Sequence, residues 1–230
     1  LKGGKVNQYA TIQAVWALTS YKLYTEGKDG YWNLNNVKIK YEGEDEYYAS
    51  LVTEKIAAIG TVTEESEDAI KEARAAYDAL TSAQKKLVTN YDVLDEAELQ
   101  LEIIKGTAVT TKFSLVGDDV HGSSGHVSYS TWIANATITV KSGSKASDVI
   151  VKAFKQYGYS IIGSTSYISG VTTPSGVSLK AFDNGSGSGW MYAVNGEAPS
   201  VGMADYVVKE NDAVILYYVD NYMDTKIPAM

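Results

Sequence analysis

Residues 185–219 read GSGSGWMYAVNGEAPSVGMADYVVKENDAVILYYV, two segments of strand chemistry set apart by turn residues. Trp190 to Val194 and Ala213 to Val219 are rich in aromatic and β-branched side chains, which suit a pleated, half-buried surface. The Gly/Ser run before Trp190 tolerates positive φ and lets other backbone come close. Asn195-Gly196 has the composition of a type I′ turn, in which both central residues need φ > 0. The stretch therefore predicts loop, strand and tight turn, with WMYAV folding back on the segment after the turn and a Trp/Tyr-bearing hairpin forming against the terminal strand. Trp190 and Tyr192 are two apart and share one face of their strand. Aromatic rings serve as core and as recognition surface alike, so the pair is open to either use.

Upstream of this stretch the same chemistry continues. TTKFSLVG (110–117) and HVSYSTWIANATITV (126–140) are strand candidates of period two. Between them and the quoted stretch, SDVIVKAFKQYG reads as a helix with a Ser147 cap, an apolar stripe of Val149, Ala153 and Phe154, and a stop at Gly158. Residues 107–230 are thus expected to form a compact β-rich α+β domain with one main helix.

Residues 44–106 read differently, as an acidic helical bundle. Residues 41–105 carry 16 Asp/Glu against 6 Lys/Arg. EYYASLVTEKIAAIG supplies a first helix. A second follows, with Ala69, Ala73, Ala76 and Leu80 on a stripe that Ile70 and Tyr77 widen, and with Glu64, Glu65, Glu67 and Asp68 in its first turn, where the helix dipole favours anions. TSAQ (81–84) has capping-box spacing, and Asn90 is placed to cap a last helix with the stripe Leu94, Ala97, Leu101 and Ile104. Charge on such helices is by default a solvated face, so the bundle reads as a spacer. In residues 1–43, NQYATIQAVWALTSYKLY puts Tyr9, Ile12, Trp16 and Leu23 on one helical stripe. Ala10, Ala14, Val15, Ala17, Leu18 and Tyr21 cover much of the rest. A helix so apolar around its circumference belongs inside a larger helical assembly. The expected fold class is α+β, multidomain.

Composition narrows the function classes. The chain has 230 residues, a formal net charge of −8 and no cysteine, so disulfides, thiolate catalysis and cysteine-ligated metals are excluded. No basic patch able to neutralise phosphates is evident, which argues against nucleic-acid binding. No apolar run is long enough to suggest membrane insertion. His121 and His126 flank GSSG and could meet on a metal, but no third ligand follows from spacing. DNGSGSG (183–189) hints at calcium yet lacks the alternating acidic ligands and closing Glu of an EF-hand loop. No nucleophile elbow is visible, since GSGSG has no apolar strand directly before it. Catalytic residues and metal ligands are therefore expected to be none.

Two resemblances add to this. YATIQAVWALTSYKLYTEGKDGYWNLNNV (9–37) resembles the final unit of an α/α-toroid of the squalene-cyclase and transcobalamin kind, which implies an upstream toroid domain. The quoted stretch resembles the transcobalamin-like C-terminal domain family of Gram-positive surface proteins. Shared are the Gly-rich entry, Trp190 with Tyr192, the Asn195-Gly196 turn, a small-residue loop, Gly202, Asp205-Tyr206 and an acidic turn. That turn usually holds a Gly where this chain has Asn211, which also tolerates the left-handed region. The acidic run TVTEESEDAIKEARAAYDALTSAQKKLVTNYDVLDEAE resembles helical spacers of Gram-positive surface proteins. The resemblance implies a non-catalytic extracellular module at a Gram-positive cell wall or surface that binds an external ligand, glycan or protein. Its candidate ligand-binding residues are Trp190, Tyr192, Asn195, Pro199 and Tyr206. Corrinoid (cobalamin) binding as half of a two-domain site is one alternative, although the inserted bundle separates the two faces. A purely structural spacer is the other.

Overall fold

The computed structural model describes residues 8–26, 43–118, 129–223 and 226–228. Helices occupy the N-terminal half: α1 (Gln8–Thr25), α2 (Glu44–Ala57), α3 (Glu67–Asp78), the single turn α4 (Ser82–Lys85) and α5 (Tyr91–Lys105). The rest is β-rich around one main helix, α6 (Ala146–Tyr157), so the chain is α+β as its patterning predicts. Its strands are β1 (Val109–Asp118), β2 (Tyr129–Val140), β3 (Ser160–Gly163), β4 (Ile168–Thr172), β5 (Ser178–Lys180), β6 (Gly189–Val194) and β7 (Ala213–Val219).

Helices α2, α3 and α5 bury Val52, Ile56, Ile70, Ala73, Leu94 and Ala97 among themselves. The TSAQ capping box is formed: Thr81 Oγ1 accepts from the Gln84 N–H at 3.3 Å, and Gln84 Oε1 accepts from the Thr81 N–H at 2.8 Å. Asn90 behaves otherwise than its spacing predicts. Its side chain caps nothing; the amide donates to the Thr53 carbonyl on α2 at 3.0 Å, tying α5 to α2. Ala69 and Ile104 lie exposed on the outer faces of α3 and α5, whereas Leu99, off the predicted stripe, is buried. Helix α5 ends at Gly106, whose φ of 67° is the left-handed cap geometry glycine adopts cheaply. Only residues 106–108 then separate it from β1. Helix α1 is half covered along Thr19, Ser20 and Leu23 and exposed on its opposite side. The rest of the toroid-like stretch, 27–37, falls outside the described residues.

Four strands form a mixed sheet in the order β2-β1-β7-β6, and three form a smaller antiparallel sheet, β3-β4-β5. β1 runs antiparallel to β2 and parallel to β7, pairing Lys112 with Ala213 through Val116 with Tyr217. β6 runs antiparallel to β7, with Trp190 opposite Tyr218 and Val194 opposite Val214. β7 is apolar at every position because it lies between two strands and is buried on both faces. One face holds Val214, Leu216 and Tyr218 with α6 residues Val149, Ile150 and Phe154; the other holds Ile215, Tyr217 and Val219 with Met191 and Ile227.

The hairpin expectation needs one correction. Asn195 and Gly196 do form the tight turn, with φ of 55° and 79°, but the segment beyond pairs with β6 only at Glu197, opposite Val194. The extended partner of β6 is β7, and residues 198–212 form a loop between them. Helix α6 also begins two residues earlier than its Ser147 cap predicts, with Lys145 at the cap position. Ser147 is buried inside the first turn, and the Asp148 carboxylate takes the Lys145 N–H at 2.7 Å instead.

Candidate functional site

The five sequence-predicted residues divide into a core group and a loop group. Trp190 is 8% exposed and belongs to the core. Its indole N–H donates to the Leu179 carbonyl at 3.0 Å, and its ring meets Trp132 at 5.8 Å and the edge of Tyr218 at 5.3 Å between centroids. Tyr192 points to the same side, half-buried, and its hydroxyl donates to the Val201 carbonyl across the loop. Burial pushes that phenol above its ordinary pKa, helped by Tyr206 and Asp205 nearby.

Asn195, Tyr206 and Asp212 meet at the foot of the loop. Asn195 Oδ1 accepts from the Ala213 N–H at 2.9 Å and its Nδ2 donates to Asp212 Oδ1 at 2.8 Å. The other Asp212 oxygen accepts from the Lys209 N–H at 2.9 Å and, at 3.5 Å, from the Tyr206 hydroxyl. Burial, then the Asp212 charge, raises the Tyr206 pKa. Pro199 sits half-buried in the same loop. The loop is further pinned to the start of α6, where the Ala146 and Ser147 N–H groups donate to the Tyr206 and Met203 carbonyls, each at 2.9 Å. Helix-start donors that would otherwise need water are thereby satisfied. The loop is irregular but held in place, with Ser200 and Val201 exposed at its crest.

At the other end of β6, the glycine-rich approach is fixed by Asn184, whose amide donates to Asp118 and to Asp220, the latter at 2.9 Å. Ser188 is buried and accepts from the Tyr218 hydroxyl at 2.9 Å. The small residues thus let chain segments crowd around the sheet end. Among the described residues no group of three or more His, Cys, Asp or Glu is placed to hold a metal ion. His121 and His126 lie outside the described residues.

A wide concavity lies where the helices meet the sheet domain. A cleft of about 850 Å³ runs between α5 and α6, with Val93, Leu99, Val140 and Val151 among its apolar lining. Leu99 leaves the helical stripe because it is buried toward this cleft, not toward α2 and α3. Glu96 and Lys152 face each other across it at 3.9 Å. One end is clamped: Lys141, after β2, reaches Asp95 at 2.6 Å and Glu98 at 2.7 Å, and the Ser142 N–H donates to Glu102 at 2.6 Å. Glu98 is also held by Arg74, whose second nitrogen lies 2.8 Å away. Burial alone would raise the Glu98 pKa, but the hydrogen bonds from Arg74 and Lys141 outweigh it and hold the carboxyl below its usual range. Burial works against the Lys141 ammonium too, and Asp95 and Glu98 more than offset it, raising its pKa. Sequence reasoning missed the cleft. The available signals were Leu99, out of register with its helix stripe, and a lone Lys141 facing an acidic helix.

Residues 143–220 match the model of a family described as a domain of unknown function (DUF4430). The matched part runs from the turn before α6 to the end of β7. No curated protein matches the chain. Among solved structures, the crystal structure of haptocorrin in complex with Cbi aligns at 16% identity and a TM-score of 0.35, covering 81% of this chain and 55% of that one. The chain thus spans about half the length of that structure, at a similarity below the level from which a shared fold follows.

Proposed function

We propose that the chain is a non-catalytic binding module of an extracellular surface protein and takes its ligand in the cleft between α5 and α6. The observation that carries this reading is the cleft itself. At about 850 Å³ it falls in the size range of small-molecule sites, roughly 300–1,000 Å³. Its apolar lining supplies area, and Lys152, Lys155 and Glu96 at its margin supply orientation. The clamp through Lys141 fixes the mutual placement of the two walls before any ligand arrives, which lowers the cost of binding. On this reading the helices from Glu44 to Lys105 build one wall of a site as well as extending the molecule. The pinned loop 197–206, with Tyr192, Pro199 and Tyr206, is a second contact surface for a larger partner such as a glycan or a protein. The cysteine-free composition and the resemblance of residues 185–219 support a Gram-positive cell-surface setting.

An apolar anionic dye, 1-anilinonaphthalene-8-sulfonate, tests the cleft. Its fluorescence is expected to rise with the parent chain and to fall back in Val151→Glu and Val93→Glu, while Tyr206→Phe leaves it unchanged. A dye signal indifferent to both valine variants would refute the cleft as the site.

A second reading, corrinoid capture with Tyr192 and residues 197–204 as one lip, is favoured by the order of motifs in residues 185–219. Titration with cobalamin, followed by its visible spectrum, is the check; an unchanged spectrum removes the corrinoid and leaves the cleft standing. Silence in both experiments, and on arrays of glycans and matrix proteins, would favour a purely structural role.

A further inference from the structure

The cleft between α5 and α6 carries opposite charge on its two walls. Asp92, Asp95 and Glu96 stand on the α5 side, Lys152 and Lys155 on the α6 side. The remaining charged groups of the lining are already engaged: Lys141 holds Asp95 and Glu98, and the Asp148 carboxylate takes the Lys145 N–H at 2.7 Å. Glu96 and Lys152 approach each other only to 3.9 Å, with their side chains 56% and 35% exposed. A pair so long and so wet contributes little and yields readily to a better partner. Asp92, in the first turn of α5, and Lys155, in the last turn of α6, form no ion pair among the described residues.

This arrangement selects among ligands. Between the charges the lining is apolar, with Val93 and Val151 half open to solvent. An apolar anion would satisfy the lysines but lay its body against the α5 carboxylates, and an apolar cation would meet the reverse mismatch. Charges of the wrong sign or left without a partner cost affinity, so complementarity here sets specificity. A molecule with a positive end, a negative end and an apolar middle satisfies both walls at once. A single amino acid would fill only a fraction of about 850 Å³, whereas a peptide of a few residues fills more of it. The Ser144 hydroxyl and the Gln100 amide, both in the lining, are donors and acceptors suited to a peptide backbone.

We propose that the cleft receives a short peptide with free ends and apolar side chains, its ammonium group on Asp92 and Glu96 and its carboxylate on Lys152 and Lys155. The proposal rests on the reading of this cleft as the ligand site and names the class of ligand it takes. The helical bundle then supplies the half of the site that reads the amine, through α5, and the sheet domain the half that reads the carboxylate, through α6. Recognition therefore needs both units in one chain.

Titration of the full chain with the tripeptide Leu-Ala-Leu, followed by proton–nitrogen NMR, tests it. The same peptide is used N-acetylated, C-amidated and blocked at both ends. The free peptide is expected to shift resonances of α5 and α6 and to displace the anilinonaphthalene dye. Blocking either end weakens binding by about threefold to fivefold, the strength of an ion pair open to water. Lys155→Met lowers affinity for the free peptide by a similar factor and leaves that for the amidated peptide unchanged. Asp92→Asn lowers affinity for the free peptide and leaves that for the acetylated peptide unchanged. Both residues are exposed, and circular dichroism confirms that the variants keep their structure; Lys152→Met and Glu96→Gln replace a variant that does not. Dye binding that is sensitive to Val93→Glu and Val151→Glu while no peptide binds would overturn the proposal and leave the cleft as a site. Equal affinity for the free and the doubly blocked peptide would overturn it in the same way. A dye signal indifferent to both valine variants would remove the cleft and the peptide together.

Discussion

Replacing Trp190 with phenylalanine separates the two uses its place in the sequence leaves open. In the folded chain the indole N–H is bound to the Leu179 carbonyl, and the ring is wedged between Trp132 and Tyr218. Phenylalanine keeps one aromatic ring on Cβ but is smaller than the indole and loses the donor. A buried carbonyl left without its partner costs about 1–2 kcal/mol. The lost volume leaves a void; at ~40 Å³ and ~24 cal/mol per Å³ that adds about 1 kcal/mol. The sum is about 2–3 kcal/mol, or roughly 4–12 °C in Tm for a chain of this length. Urea and thermal unfolding followed by circular dichroism measure it, with dye binding at the cleft recorded in parallel. The expected outcome is lower stability with dye affinity unchanged below the transition. A variant within ~0.5 kcal/mol of the parent that has lost ligand binding would refute the assignment of Trp190 to the core, since surface substitutions normally fall within that margin.

Other perturbations address other parts of the molecule. Gly117→Ala should destabilise by about 1–3 kcal/mol, because a Cβ there would lie 2.1 Å from the Trp132 ring, which is stacked on Tyr159; near-ultraviolet circular dichroism reads the displaced ring. Asn195→Asp keeps the turn but sets a carboxylate beside the buried Asp212, so the variant should lose stability at neutral pH and recover part of it as the pH falls and one of the pair protonates. Glu98 has a depressed pKa when folded, so its contribution is complete above the ordinary value of 4.5 and fades as pH falls through the lower folded value; Lys141, raised above 10.5, contributes below that value and loses its share as pH climbs past its folded pKa. Lys141→Met should therefore flatten both limbs of the stability profile and loosen the clamp, seen as faster hydrogen exchange in the turn after β2. Glu67, hydrogen-bonded to Lys105 and Lys71, should titrate at about 2 in carbon-detected NMR.

Much of this architecture was visible in the sequence because local pattern and tertiary need agreed. The strand chemistry of TTKFSLVG and AVILYYV, the stripe of α6 and the Thr81–Gln84 box all appear where their chemistry places them. Disagreement arose where a residue had a better offer from afar. Asn90 spends its amide on the Thr53 carbonyl, and Ser147 is displaced as cap by Asp148. The small sheet of β3, β4 and β5 was missed because its strands are only 3 to 5 residues long and lie among Gly, Ser and Pro turns. Of the five site residues, Asn195 and Tyr206 meet only through Asp212, and nothing local could tell that Trp190 would find a carbonyl on β5. The cleft between α5 and α6 was invisible for a similar reason. It is made by residues some fifty positions apart, brought together by charges that look solvated when each helix is considered alone.

The parallel pairing of β1 with β7 has a mechanical consequence. The chain enters β1 from the helices at one end of the strand and leaves β7 at the other, so tension applied along the polypeptide pulls these neighbours past one another lengthwise. Five successive residue pairs, Lys112 with Ala213 to Val116 with Tyr217, then resist together instead of peeling open one by one. A molecule tethered at a surface and tugged from outside would meet its stiffest resistance at this seam, and rupture there would govern how long the tether survives under load.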